Sequence, residues 1–332
     1  MVMSILRFDM RAPGKTRAEI QAMYGAGLDM AEFADANGFE ICVLSEHHAS
    51  PDNYMSSPLI MAAGIAGRTK NIMMSIQALL VPEHDPVRLA EDLATLDHIS
   101  KGRITFTTGL GYRPIEYHLL GKEWKRRGKL LDEALDTMLK AWSGEPFELR
   151  GETVQVTPPP FTDPYPMFFV GGSGKAAVER AARFGLSAQL AANDPSLAEH
   201  YAAECARLGT TPGMCLMPAE KTTGCLFISE DPERTWAEVG PSMLHDAVTY
   251  KSWQTPDIRS AVSTDADTVE DLRKGHIYKV LTPDEAVAFA GEQGPFGGMV
   301  LMPLVGGADI AHGWASLELY VDKVLPRIRA TA

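Results

Sequence analysis

From SILRFDM at residues 4–10 to GMVLMPLV at residues 298–305, short apolar runs alternate with amphipathic segments, and this limits the fold of the 332-residue chain more than any other feature. After the first run, Ile20, Met23, Leu28, Met30 and Phe33 recur at mostly helical spacing and stop at Asn37-Gly38, a helix-ending pair. Further strand-like runs are FEICVLSEHH (39–48), NIMMSIQALLV (71–81), RITFTTGLG (103–111), PMFFVGGS (166–173), LSAQLA (186–191) and TTGCLFIS (222–229). Helical patterns separate them, among them PLIMAAGIAGRT behind Ser56 or Ser57 as N-cap, PVRLAEDLATLDHISKG and GKAAVERAARFG. Strand-helix units of this kind demand parallel strands joined by right-handed crossovers. About eight strands close a (β/α)8 TIM barrel, whose chemistry sits at the C-terminal ends of its strands. A doubly wound open sheet is the competing architecture, but its Gly-x-Gly-x-x-Gly turn does not follow the first strand.

Two stretches interrupt the rhythm. EPFELRGETVQVTPPPFTDPYP (145–166) reads as a hairpin and excursion after the fourth strand. Between Asp231 and Tyr278 only helical pieces and polar stretches are visible, which suits a lid-like insertion in a single domain covering residues 1–332. The net charge of -12 argues against a general nucleic-acid or anionic-membrane partner, because phosphate binding needs clustered Lys and Arg. Cys42, Cys205, Cys215 and Cys225 show no Cys-x-x-Cys spacing, which fits packing residues in a reducing compartment. The first residues lack the pattern of a secretory signal, so the expected location is the cytoplasm.

Four motifs follow strands and therefore belong at a barrel mouth. The first is Glu46-His47-His48. Adjacent histidines on extended chain point to opposite faces and no His-x-His spacing accompanies them, so metal ligation is the weak reading. Interior hydrogen bonding and acid-base work remain, the latter requiring a carboxylate, Glu46 or another acid, to set the tautomer. The second is Gln77, an amide in an otherwise apolar strand; it either bonds neighbouring backbone or lies under a flat polar ligand. The third is the turn Thr107-Thr108-Gly109-Leu110-Gly111-Tyr112, whose glycines permit close backbone approach; Arg113 and Glu116 are rim or helix-start residues. The fourth, Gly171-Gly172-Ser173-Gly174-Lys175, leads into a helix whose free N–H groups suit an anion. It is no Walker motif, since Ala176 follows Lys175; a monophosphate cradle and an ordinary capped turn both fit.

Taken together, SEHHASPDNYMSSPLIMAAGIAGRT, LLVPEHDPVRLAEDLATLDHISKGRITFTTGLGYRPIEY and MFFVGGSGKAAVERAARFG resemble the bacterial luciferase-like monooxygenases, flavin-dependent TIM barrels. The resemblance is close over residues 1–185 and returns at TPDEAVAFAGEQGPFGGMVLMPLVGG. It implies that His47 is the active-site histidine. It places a non-proline cis peptide at Gln77-Ala78 under the flavin ring, and the loop of Thr108, Gly109, Gly111 and Tyr112 along the flavin face. Gly171, Gly172, Ser173, Gly174 and Lys175 would hold the flavin phosphate. Gly109 and Leu110 stand where bacterial luciferase has a reactive cysteine and an arginine, which argues against light emission. The implied activity is a two-component monooxygenase taking reduced FMN (FMNH2) from a separate flavin reductase and oxygenating a small organic substrate, as a homodimer. The alternatives are hydride transfer with the 5-deazaflavin coenzyme F-420 and a flavin-binding protein without turnover. A glycoside hydrolase would need a second carboxylate facing Glu46, and none is obvious.

Overall fold

The computed structural model describes residues 2–254, 258–293 and 297–330. Residues 255–257 of the expected lid and residues 294–296 ahead of the last strand, both used in the sequence reading, lie outside the described residues. The chain runs through β1 (Met3–Phe8), α1 (Arg17–Ala36), β2 (Ile41–Leu44), α2 (Pro58–Arg68), β3 (Met73–Leu79), α3 (Pro86–Ser100), β4 (Ile104–Thr108), α4 (Pro114–Leu119) and α5 (Arg127–Trp142). After the antiparallel hairpin β5 (Phe147–Leu149) and β6 (Glu152–Val154) come β7 (Phe168–Gly172), α6 (Lys175–Phe184), β8 (Ser187–Leu190) and α7 (Pro195–Leu208). The last third holds β9 (Cys215–Leu216), β10 (Cys225–Ile228), α8 (Pro232–Trp253), α9 (Val269–Lys274), β11 (Tyr278–Leu281), α10 (Pro283–Glu292), β12 (Gly298–Leu301), α11 (Ile310–Leu319) and α12 (Leu325–Ala330).

The main sheet is parallel, in the order β11-β10-β12-β1-β2-β3-β4-β7-β8-β9. β12 thus pairs in parallel with β1, as neighbouring last and first strands of a (β/α)8 barrel do, and β9 and β11 stand at the two ends of the ladder. Sequence periodicity did not reveal β9, whose two residues carry no alternation to read, nor β11, which follows the polar stretch that ends in α9.

Local chemistry explains the element boundaries. Thr16 and Glu19 form a reciprocal capping box on α1, and Thr282 and Glu285 do the same on α10. Asp85 caps α3 through the Val87 and Arg88 N–H groups, with Pro86 preset in the first turn. The outward faces of the strands, among them Leu6, Phe8, Cys42, Leu44, Met74, Ile76, Ile104 and Phe106, are fully buried under the helices. Each large apolar side chain there contributes roughly 1.5–3 kcal/mol by leaving water. At the opposite end of the barrel from the strand C-termini, Arg103 ties β4 to the α2–β3 connection through Thr69 Oγ1 and the Ile72, Ala66 and Thr69 carbonyls.

The inward faces of β3, β4 and β8 carry polar residues, Ser75, Gln77, Thr105, Thr107 and Gln189, and Gln77 Nε2 donates to Ser75 Oγ at 3.0 Å. Gln77-Ala78 is a cis peptide, and the β3–β4 register skips Ala78. The first part of the segment that looked broken in sequence is one 22-residue helix, α8, with Pro241 inside it. That proline and the polar residues around it masked the period. Among the described residues no helix is long and apolar enough to cross a membrane.

Candidate active site

The C-terminal ends of β2, β3, β4 and β7 bring the four sequence motifs to one end of the barrel. His47, only 5% exposed, stands directly after β2. Its Nδ1 lies 2.9 Å from Glu116 Oε1 and its Nε2 3.0 Å from the Tyr112 hydroxyl. A carboxylate only accepts, so Nδ1 carries the proton and Nε2 receives the Tyr112 O–H. The acid that sets the tautomer is therefore Glu116, not Glu46. Glu116 Oε1 also accepts from the His48 backbone N–H at 2.9 Å and from Arg113 Nη1 at 2.9 Å.

Burial lowers the His47 pKa below its ordinary value; the Glu116 partner pulls it up, and Arg113 and Arg11 push it down again. The imidazole is neutral at pH 7 and ready to accept at Nε2. Burial alone would raise Glu116, but the hydrogen bond and charge of His47, the His48 N–H and Arg113 hold it below the usual carboxylate range.

Glu46 does other work. It accepts from the Leu80 N–H at 2.6 Å, His84 Nε2 at 2.8 Å and His48 Nε2 at 3.2 Å, fastening the end of β3 to β2. Although burial opposes it, these bonds bring the Glu46 pKa down to about 2. Ser45 Oγ donates to the Gln77 carbonyl at 3.0 Å, so the cis peptide is fixed from the same strand end.

Sequence reasoning passed over a second set of residues. Arg11, fully buried after β1, is 3.0 Å from Asp246 Oδ1, 3.6 Å from Asp9 Oδ2 and paired with Asp52. Its guanidinium carbon is 4.6–4.7 Å from the ring centroids of Tyr54, Tyr250 and Trp253. Trp253 also packs on His47 at 4.8 Å between centroids and under Arg113 at 4.0 Å. Asp246, Tyr250 and Trp253 lie at i, i+4 and i+7 of α8, one helical face, and their neighbour His245 reaches Asp52 at 2.9 Å. The insertion expected to act as a lid is thus packed against the histidine. Beyond it, Arg259 Nη2 donates to the Ser173 carbonyl at 3.0 Å and Ala261 N–H to the Ala191 carbonyl at 2.8 Å, so the insertion also reaches the glycine-rich turn. The signals existed: Asp9 and Arg11 follow a strand, and an Asp-Tyr-Trp stripe at helical spacing is visible in DAVTYKSW.

Three glycines of these motifs sit where neighbouring strands and helix leave no room for a side chain. A Cβ at Gly109 would come within 2.8 Å of Ala78 Cβ, and one at Gly171 within 2.5 Å of the Thr108 carbonyl oxygen and 2.7 Å of Thr107 Cγ2. Gly172 is as tight, 2.5 Å from Ala177 Cβ. Helix α6 starts at Gly174 with no side-chain cap, leaving its first N–H groups available to an anion, with exposed Lys175 in the first turn. Thr108 Oγ1 is buried with no protein partner. A flat ring against Gly109 and Ala78 and a monophosphate at α6 fit these residues. Among the described residues no three His, Cys, Asp or Glu side chains converge as metal ligands.

A parallel strand-helix sheet with a neutral, carboxylate-oriented histidine beyond β2 and an uncapped, glycine-led helix start beyond β7 is the arrangement of an enzyme of the TIM-barrel type. The luciferase-like monooxygenase family model matches residues 3–280, and the chain belongs to that family of oxidoreductases. It is 25% identical over 331 residues to limonene 1,2-monooxygenase of Rhodococcus erythropolis, a match covering 90% of this chain and 80% of the relative. Two solved structures share the fold over 99% of this chain, each with a TM-score of 0.66. One is the oxygenating constituent of 3,6-diketocamphane monooxygenase from Pseudomonas putida in complex with FMN, 20% identical and covered over 99% of its length. The other is an F420-dependent secondary alcohol dehydrogenase in complex with an F420-acetone adduct, 16% identical and covered over its full length, 100%.

Proposed function

We propose that the protein is the oxygenase component of a two-component monooxygenase that takes reduced FMN from a separate flavin reductase and oxygenates a small organic substrate. The observation that carries this reading is the pairing of the His47–Glu116 couple with the close-packed Gly109 and Gly171 and the uncapped start of α6. The family and the FMN-containing oxygenating constituent it resembles support the choice of cofactor. When bound, reduced FMN supplies two electrons and the activation of O2.

The chain's own residues do the rest. The turn Gly171–Lys175 and the first N–H groups of α6 bind the phosphate, while Gln77, Ala78, Gly109 and Gly111 support the ring. His47 exchanges a proton at Nε2 once the Tyr112 hydroxyl turns aside, and Glu116 compensates the charge that forms on the imidazole. Arg113 keeps Glu116 ionised and oriented. The aromatic face of α8 excludes water from the histidine.

A second reading, hydride transfer with the deazaflavin F-420, is favoured by the full-length likeness to the F420-dependent dehydrogenase and by the neutral state of His47, which suits removal of an alcohol proton. Fluorescence titration of the purified protein with FMN and F-420 separates the two. Tight FMN binding with O2 uptake that depends on an added flavin reductase and NADH supports the oxygenase. Binding of F-420 alone replaces it with the dehydrogenase, and binding of neither removes both.

A further inference from the structure

Beyond the end of β1, Met10 takes φ +55°, a left-handed conformation rare for a long side chain, and Arg11 follows it fully buried. Three aspartates hold its guanidinium: Asp246 Oδ1 is 3.0 Å from Nε, Asp9 Oδ2 is 3.6 Å from the same nitrogen, and Asp52 pairs with Nη1. Nη2 is buried and has no hydrogen-bond partner. An unpaired donor on a buried cation costs stability, so such an atom marks a place where an acceptor belongs.

The surroundings of Arg11 are shared with His47. Its guanidinium carbon is 4.6–4.7 Å from the ring centroids of Tyr54, Tyr250 and Trp253, and the same three rings stand 4.9, 5.9 and 4.8 Å from the imidazole. One aromatic cage therefore joins the acid-base histidine to the arginine. Tyr250 and Trp253 are half-buried in the last turn of α8, whereas Asp246 lies a turn earlier and Asp9 and Asp52 lie outside that helix. Parting these two rings for a ligand costs the Tyr54–Tyr250 hydroxyl contact at 2.7 Å but none of the arginine's ion pairs.

We propose that Arg11 is a substrate-binding residue whose Nη2 donates to the carbonyl or hydroxyl oxygen of a neutral, otherwise apolar substrate held in this cage beside His47. This rests on the reading that His47 exchanges a proton with a bound group, and it holds for either cofactor. The rings give apolar contact to the body of such a molecule. Charge decides against an anion. At pH 8, above the value of about 7 to which burial and Asp246 raise Asp9, the carboxylates of Asp9, Asp52 and Asp246 face the two guanidiniums of Arg7 and Arg11. Arg113, 4.0 Å over the Trp253 ring, is already matched by Glu116. A carboxylate would join a cluster that has no positive charge to spare, whereas a carbonyl or hydroxyl oxygen needs one donor and leaves every ion pair intact.

The test is a calorimetric titration of the full chain at pH 8, with and without FMN, using cyclohexanone, cyclohexanol, cyclohexanecarboxylate and cyclohexylammonium. The ketone and the alcohol should bind at least about tenfold more tightly than either ion. The carbonyl infrared band of bound cyclohexanone should lie below its position in water, the mark of a donor that is itself charged. R11K keeps a charge for the aspartates but shortens the donor; it should unfold as cooperatively as wild type, bind the ketone about tenfold more weakly and lose the band shift. W253A alters the wall and not the donor, so it should change ketone and alcohol affinity by the same factor and keep the shift. Tighter binding of the carboxylate, an unshifted band in wild type, or binding of none of the probes overturns the proposal, whether or not R11K folds. FMN binding with no preference for the neutral probes removes this role of Arg11 and leaves the proposed function standing. Absence of FMN binding removes the proposed oxygenase, while the probes and the band in the flavin-free chain still decide the role of Arg11.

Discussion

The two sides of the barrel mouth are built on opposite plans. Around β2 and β4 the site is made of side chains: His47, Glu116, Arg113 and Arg11 are buried and bonded to one another. Around β7 it is made of their absence: Gly171 and Gly172 leave no room for a Cβ against Thr107, Thr108 and Ala177, and Gly174 starts α6 without a side-chain cap. The first side depends on which atoms are present and the second on which are missing. Removing a functional group should therefore damage the first side, and adding one should damage the second.

The largest expected effect is on the side-chain half. H47A should lower turnover by about 10²–10⁴-fold, the usual contribution of a positioned acid-base group, with FMN affinity retained in a titration. Normal turnover would remove His47 from the reaction. E116A should cost about 3–5 kcal/mol of stability in denaturant unfolding, because it leaves Arg113 buried without its carboxylate and strands the His48 N–H. It should also lower the His47 pKa further, since the hydrogen bond and charge of Glu116 are what raise it.

On the backbone half, G171A should cost roughly 1–3 kcal/mol, seen in thermal unfolding and in FMN affinity together, as the new methyl meets the Thr108 carbonyl. The smallest effect is K175A. Losing an exposed charge in the first turn of α6 should weaken FMN by about 0.3–1 kcal/mol, and the difference should fade in high salt. If K175A proved worse than G171A, the contrast between the two halves would be wrong.

Acid titration sharpens the first half in another way. Glu46 has a folded pKa depressed from 4.5 to about 2, so its ionised form contributes stability above pH 4.5 that is lost as pH falls toward 2. The stability gap between wild type and E46Q should close over that window. Glu83, buried in the turn after β3, has the opposite sign: its folded pKa is raised from 4.5 to about 9, so the native state holds a proton the unfolded chain releases. Wild type should lose stability relative to E83Q as pH rises through that window.

Much of this was legible in the chain. The strand-helix rhythm placed eight of the ten strands of the main sheet, and the motifs at His47, Gly109 and Gly171 were read at the mouth because they follow strands. The family resemblance placed the cis peptide at Gln77-Ala78, where it is found. Less legible were α8, broken to the eye by Pro241, and the short strands β9 and β11. Glu116 was visible only as a rim or helix-start residue, and Glu83 only as one letter before a histidine.

The sequence by itself determined what depends on near neighbours: hydrophobic period, caps, glycine turns, and which residues end a strand. Partnership across the barrel was decided by the tertiary structure alone. His47 and Glu116 are 69 residues apart and Arg11 and Asp246 are 235 apart, so no local pattern links them. The parallel pairing of β1, β2, β3 and β4 in one sheet, with α8 packed over their ends, brings these residues together. Burial at that point makes the pairings obligatory, because an ionised group cut off from water must find its partner within the protein.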